Sequence, residues 1–403
     1  MDWNFASRTN RMKGSVIREL LALTQKPEII SFAGGLPDPT MFPVEQFNEC
    51  MSHVIKTIPS VVFQYGETPG YKPLREIVVE MTKKEGIKDC TIDNVCITTA
   101  SQQGIELVGK IMVDEADVVI VDGPTYLATL QAWSDYGAKY VTVDLDDEGM
   151  KVDELEEKLE AMKKVGVRPK MIYTIPTFQN PAGVTMTLAR RKKLLELAYK
   201  YNVPIIEDNP YGDLRFTGTP TPSLYSLDTK GMVVSLKTFS KILAPGLRLG
   251  WIVANKDFIA KICMAKQSAD LNSPVITQAA VAEFAKRGYI DQHVPKICEA
   301  YGKKRQAMEV AMKKYLPQGV KWTNAEGGMF IWVTLPNNVD TTALFPKAIE
   351  HKVAYIVGSA FFPYGGGESS MRLNFSFPSL PQIDEGIKDR KSTRLNSSHD
   401  QIS

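Results

Sequence analysis

The run Ser235-Leu-Lys-Thr-Phe-Ser-Lys-Ile-Leu-Ala-Pro-Gly-Leu-Arg-Leu-Gly-Trp sets a lysine among hydroxyls and an arginine. Lys241 lies three residues after Thr238, one after Ser240 and seven before Arg248. An amine forms a Schiff base only when partly deprotonated, which needs desolvation or a nearby cation. Hydroxyls and a guanidinium fork suit a phosphate dianion. The block therefore points to an aldehyde cofactor that carries a phosphate. A lone lysine in a loop would carry no such meaning.

Five further segments agree with it. Thr98-Thr-Ala-Ser-Gln-Gln-Gly joins a strand to a helix, placing Ser101 and Gln102 where backbone N–H groups bind anions. Taken alone, Ser101 also reads as a simple N-cap. Asp208, in Ile205-Ile-Glu-Asp-Asn-Pro-Tyr, ends an apolar strand. A carboxylate there faces the crevice where α/β sheets bind ligands, and it can hold a pyridine nitrogen protonated. Taken alone it also reads as a turn cap. Tyr211 follows, and its hydroxyl can reach the ring oxygen. Asn180, in Thr177-Phe-Gln-Asn-Pro-Ala-Gly, can donate to the same oxygen or simply start an Asn-Pro turn. Tyr126, in Asp122-Gly-Pro-Thr-Tyr, offers a flat ring for stacking or for ordinary packing. Arg372 sits in apolar Met371-Arg-Leu-Asn-Phe-Ser. Burying it unpaired is costly, so it needs a substrate carboxylate or an internal salt bridge.

Hydrophobic patterning supplies the elements that position these groups. Short apolar runs begin near residues 95, 117, 139, 171, 204, 232 and 249, and amphipathic stretches separate them. Val152 to Val165 has apolar residues at 152, 155, 159 and 162, a helical spacing. Helices are also expected at 102–113 and 188–201. Strands buried on both faces and alternating with helices imply a mainly parallel α/β sheet. After 257 the pattern changes to helices over 257–267, 274–287 and 292–315, then strands near 328 and 371. The division expected is an N-terminal arm and part of the small domain (1–45), a large domain (46–285) and a small α+β domain (286–388). One helix is expected at about 14–24. Residues 389–403 lack a helical apolar stripe and read as a non-native or disordered tail.

Composition excludes other classes. The 403 residues are 44% apolar and 23% charged, with 48 basic and 46 acidic side chains and a net charge of +2. Neither a nucleic-acid surface nor an anionic-membrane surface is expected. No run approaches the roughly 18–20 apolar residues of a membrane span. Five cysteines without CxxC spacing and four scattered histidines suggest reduced thiols, a cytoplasmic location and no metal site. No GxGxxG opens a βαβ unit, which disfavours a nicotinamide enzyme.

Together these blocks resemble the class I/II aminotransferases, pyridoxal 5′-phosphate (PLP) enzymes of fold type I with a mainly parallel seven-stranded sheet. The branch is similar to kynurenine/2-aminoadipate and bacterial broad-specificity enzymes. Ser31-Phe-Ala-Gly-Gly-Leu-Pro, the Asn-Pro-x-Gly block and the Lys241 block occur in family order, over about 15–387. The resemblance implies that Lys241 holds PLP and shuttles a proton, and that Asp208 pairs with the ring nitrogen. It implies Asn180 and Tyr211 on the ring oxygen and Tyr126 on the ring face. It implies Ser101, Gln102, Thr238, Ser240 and Arg248 on the phosphate. Tyr65, in Phe63-Gln-Tyr-Gly, would reach the partner's phosphate in a homodimer. Arg372, with Asn180, would bind the substrate α-carboxylate, and Gly35, Leu36 and Arg18 would line the pocket. A segment over 12–37 would gate it. Thr238 stands where the family more often has Ser, and its hydroxyl can still donate. The implied activity is ping-pong transfer of an amino group from an aromatic, aliphatic or 2-aminoadipate-like amino acid to a 2-oxo acid such as 2-oxoglutarate. A PLP β-lyase or decarboxylase is the alternative on the same scaffold. A non-catalytic effector-binding regulatory domain is the alternative of another class.

Overall fold

The computed structural model describes residues 3–12, 14 and 28–388. Arg18, nearly all of the helix expected at 14–24, part of the 12–37 segment and the 389–403 tail lie outside them. The early strands are β1 (Ile30–Ser31), β2 (Val95–Thr98), β3 (Val118–Gly123), β4 (Lys139–Asp146) and β5 (Gly149–Met150). Then come β6 (Met171–Thr174), β7 (Ile205–Asp208), β8 (Val233–Thr238) and β9 (Gly250–Val253). The late strands are β10 (Lys321–Trp322), β11 (Phe330–Thr334), β12 (Val353–Ala354), β13 (Ile356–Val357) and β14 (Ser370–Asn374).

The main sheet runs β2-β9-β8-β7-β6-β3-β4-β5. Pairs β4/β3, β3/β6, β6/β7 and β7/β8 are parallel. Pairs β2/β9, β9/β8 and β4/β5 are antiparallel. The seven strands read from apolar runs are all present. The eighth, β5, is two residues long and antiparallel at one edge, too short to leave a periodic signal. Every residue of β2, β6, β7, β8 and β9 is buried, because helices cover both faces. Helix Val152–Lys164 buries Val152, Leu155 and Leu159, the stripe its spacing predicts. Helix Ala100–Met112 begins two residues earlier than expected, which moves Ser101 inside its first turn.

The antiparallel second sheet has order β10-β11-β14-β13. The chain near the start is pinned to this region. β1 pairs in parallel with β12, the Phe32 N–H donates to Ala354 O at 2.8 Å, and the Asn374 N–H donates to Phe32 O at 2.8 Å. Lys304 on helix Tyr289–Tyr315 adds an ion pair to Asp38 at 2.5 Å. Strand pairing thus carries Ala33 and Gly35 towards the ends of the main-sheet strands.

Helix Leu380–Lys388 buries Ile383 and Ile387 completely. A Cβ at Gly386 would lie 2.7 Å from the Phe32 ring, so this helix sits tightly on the pinned segment. Ile383→Ala should cost about 2–5 kcal/mol in chemical denaturation, the usual cost of emptying a core isoleucine site. A loss well below about 1 kcal/mol would show that the helix is not part of the core.

Candidate active site

β7 ends on Asp208, which is 2% exposed. The Tyr173 hydroxyl, from neighbouring β6, donates to Oδ2 at 2.7 Å. Oδ1 is buried with no hydrogen-bond partner among the described residues. Burial pushes the Asp208 carboxyl up to about 7; the Tyr173 bond opposes this and the adjacent Glu207 adds to it. A buried oxygen of this kind calls for an N–H or a cation.

A chain of polar contacts begins three residues on. The Asn180 amide donates to the Tyr211 hydroxyl at 3.3 Å, and its Oδ1 accepts from Arg372 Nη1 at 2.7 Å. Arg372 Nη2 donates to Ala33 O at 2.8 Å. Its guanidinium carbon lies 4.2 Å from the Phe330 ring centre and 5.1 Å from that of Phe361. Nε has no partner. The internal salt bridge open on sequence grounds is not what holds it, since both hydrogen-bond partners are neutral. Burial brings the Arg372 pKa down to about 10. Burial also pushes the Tyr211 phenol far above its ordinary value.

Lys241 follows β8 and donates to Gly35 O at 2.8 Å. Burial brings its amine down to about 8, with Arg372 and Arg248 adding repulsion of the charged form. It is therefore partly neutral near pH 8, as a nucleophilic lysine must be.

The residues expected at a phosphate lie on two turns. Thr99, not Ser101, is the N-cap of helix Ala100–Met112, and its side chain makes no cap bond. Ser101 and Gln102 occupy the first turn. Ala100 takes φ 58°, a left-handed conformation that turns the chain sharply. A Cβ at Gly250 would stand 2.7 Å from Ser101 N and Ala100 C, so only glycine allows β9 this close. Thr238 Oγ1 lies 2.8 Å from Ser240 Oγ and accepts from Ser240 N–H at 3.1 Å. Arg248 is exposed, with φ 50° and a 3.3 Å bond to Pro245 O. Tyr126 stands between β3 and helix Leu127–Ser134, and burial raises its phenol, with Asp208 adding to the shift.

Two expected residues are less enclosed. Tyr65 is 81% exposed and Leu36 45% exposed. Arg18 falls outside the described residues. Sequence reading misses Tyr173, Phe330 and Asp122. Asp122 is fully buried and accepts from Thr174 Oγ1 at 3.0 Å, Ile175 N at 3.2 Å and Gln179 Nε2 at 3.4 Å. It ties the turn of Tyr126 to the turn of Asn180. A signal for it exists, since Asp122 ends an apolar strand just as Asp208 does.

A partly neutral lysine, a bare carboxylate oxygen and a glycine-lined turn meet at the ends of parallel strands. That combination defines a class, α/β enzymes that hold a phosphorylated aldehyde cofactor, and the residues fit PLP. The family model described as aminotransferase class I and II matches residues 42–388. Aromatic-amino-acid aminotransferase 1 of Thermococcus litoralis is 47% identical over 385 residues, 95% of this chain and 92% of that protein. The crystal structure of Pyrococcus horikoshii kynurenine aminotransferase in complex with PMP matches with TM-score 0.95 and 44% identity. That match covers 98% of this chain and 97% of the other. The α-aminoadipate aminotransferase of Thermus thermophilus, complexed with N-(5′-phosphopyridoxyl)-L-leucine, matches with TM-score 0.91 and 36% identity. It covers 98% of this chain and 99% of the other. The chain belongs to the class I and II aminotransferases, and it is a PLP-dependent aminotransferase of fold type I.

Two outcomes follow. Acylation of Lys241 in cofactor-free protein, read by peptide mass spectrometry, should show a midpoint at pH about 8. Arg372→Gln removes a cation that disfavours the ammonium form, so the midpoint should rise; an unchanged midpoint contradicts this. Gly250→Ala should weaken PLP binding by about tenfold or more, because the added methyl meets backbone rather than a movable side chain.

Proposed function

We propose that Lys241 carries the proton in a ping-pong transamination of aromatic, aliphatic or 2-aminoadipate-like amino acids with a 2-oxo acid such as 2-oxoglutarate. The observation that carries this reading is Arg372, a desolvated guanidinium whose two hydrogen-bond partners are neutral. Such a cation suits a substrate carboxylate, which pairs with it bidentately. The names of the relatives, with aromatic amino acid, kynurenine and α-aminoadipate among them, support the breadth of donors.

Bound PLP supplies the electron sink for the bond broken at the substrate's Cα. Asp208 Oδ1 would accept the ring N–H and keep that nitrogen protonated. Asn180 and Tyr211 would bind the ring's O3′, and Tyr126 would cover the ring face. Ser101, Gln102, Thr238, Ser240 and Arg248 would bind the phosphate. Lys241 would hold the aldehyde carbon at rest, and its Nζ would carry the proton between the substrate's Cα and the cofactor's C4′. The low Lys241 pKa suits both tasks, because the same amine must accept and release a proton near neutral pH. Arg372 and Asn180 orient the carboxylate, and Gly35, Leu36 and Arg18 line the pocket.

The active unit in this reading is a homodimer, with Tyr65 of one protomer completing the phosphate site of its partner. The exposure of Tyr65 at 81% and nearby Phe63 at 70% supports this. The reading keeps a large domain over 46–285, a small one over 286–388 and a cytoplasmic location. Among the described residues no helix is long and apolar enough to cross a membrane.

Product analysis separates this chemistry from its rivals. An exchanged amino group with a new 2-oxo acid is expected. Ammonia with pyruvate, or carbon dioxide, would mean lyase or decarboxylase chemistry. Arg372→Gln should raise KM for the amino acid about 100-fold while kcat changes less, as for a lost charge-assisted carboxylate contact. An unchanged KM would remove Arg372 from substrate binding.

A further inference from the structure

Behind the phosphate-binding turn lies a polar cluster that the mechanism does not use. Lys266, on helix Lys256–Gln267, is completely buried. Its Nζ donates to Gln103 Oε1 at 2.8 Å, to Asp270 Oδ1 at 2.8 Å and Oδ2 at 2.9 Å, and to Ser273 Oγ at 3.1 Å. Gln103 Nε2 in turn donates to Asp270 Oδ2 at 2.6 Å. The cluster grips Thr99 from two sides. Its backbone N–H donates to Gln103 Oε1 at 2.8 Å, and its hydroxyl donates to Asp270 Oδ2 at 3.2 Å and lies 3.0 Å from Ser273 Oγ.

Thr99 is the N-cap of the helix whose first turn holds Ser101 and Gln102. A threonine there ordinarily turns its oxygen onto the first-turn N–H groups. Here that oxygen faces Asp270 and Ser273, and no side-chain cap bond forms. The helix end is therefore denied its usual internal acceptor. The neighbouring left-handed residue, Ala100, keeps the turn in the same arrangement.

We infer that Lys266, Asp270, Gln103 and Ser273 form a positioning cluster that withholds the Thr99 hydroxyl from the helix N-terminus, keeping its amides for the cofactor's phosphate. This rests on the reading of Ser101 and Gln102 as phosphate ligands. Lys266 organises the acceptors, Asp270 and Gln103 hold Thr99, and none of the four need touch the phosphate. Loosening the cluster frees the hydroxyl to cap the helix, and the phosphate must then displace it.

The test compares PLP with pyridoxal, the same aldehyde without the phosphate, as measured dissociation constants. Lys266→Met removes the fully buried cation that ties Gln103, Asp270 and Ser273 together and can fail to fold, so Gln103→Met is the working variant. Thermal unfolding of the cofactor-free protein checks its integrity. Gln103→Met should weaken PLP about tenfold and pyridoxal less than about twofold, the size of one competing cap. Thr99→Val has no hydroxyl to interfere and should bind PLP within about twofold of wild type. The double variant Gln103→Met/Thr99→Val should regain most of the lost PLP affinity, a non-additivity that a purely structural role would not produce. Equal losses for PLP and pyridoxal, no loss of PLP, or no rescue in the double variant would each overturn the inference. Wild-type protein that binds PLP no better than pyridoxal would overturn the phosphate reading beneath it, and this inference with it.

Discussion

Ionisable groups taken out of water govern how this site is built. Asp208 and Arg372 are each 2% exposed, and among the described residues neither hydrogen-bonds a charged partner. Burying an unpaired charge costs several kcal/mol, so each group presses on its own protonation state and on its neighbours. Asp208 rises to about 7, while Lys241 and Arg372 fall to about 8 and about 10. Each shift has burial as its largest cause. The site is left wanting a protonated ring nitrogen, an aldehyde carbon and a carboxylate. PLP and an amino acid together supply those three groups.

Much of the fold serves to keep these groups dry and in register. Three adjacent parallel pairings bring the C-terminal ends of β3, β6, β7 and β8 side by side, with Tyr126, Asn180, Asp208 and Lys241 at or just beyond them. Asp122 bonds the first two of these ends together through Gln179. The pairing of β1 with β12 draws the early chain across the same ends, where Ala33 O meets Arg372 and Gly35 O meets Lys241. Phe330 underlies both Arg372 and Tyr211, with its ring edge-on to the tyrosine at 5.7 Å. A Cβ at Gly35 would stand 3.3 Å from that same ring. One aromatic side chain thus spaces Arg372, Tyr211 and Gly35 from one another.

The parts legible in the sequence are those with a local cause. Buried strands read as apolar runs, and a polar residue ending such a run marks a turn at the crevice; Asp208 is legible in that way. Asp122 satisfies the same rule, yet its role stays hidden because its partners, Thr174 and Gln179, lie more than fifty residues away. Tyr173 is hidden for another reason. It sits mid-strand among apolar neighbours, where a tyrosine looks like packing, and only the pairing of β6 with β7 puts its hydroxyl against Asp208. The cap falls on Thr99, two residues before Ser101, and its hydroxyl turns towards Asp270 and Ser273, which no local pattern reveals. β5 leaves no trace because two residues carry no period.

The central claim is that one lysine, Lys241, forms the covalent link to PLP and gives it up to the substrate. Borohydride reduction of PLP-loaded protein, followed by peptide mass spectrometry, tests it most directly. The account predicts a phosphopyridoxyl label on Lys241 alone. The label should be lost when a donor amino acid is added before reduction and restored when 2-oxoglutarate follows. Label on Lys237 or Lys266, the buried lysines on β8 and on helix Lys256–Gln267, would contradict the account. So would a Lys241 label indifferent to every amino acid offered.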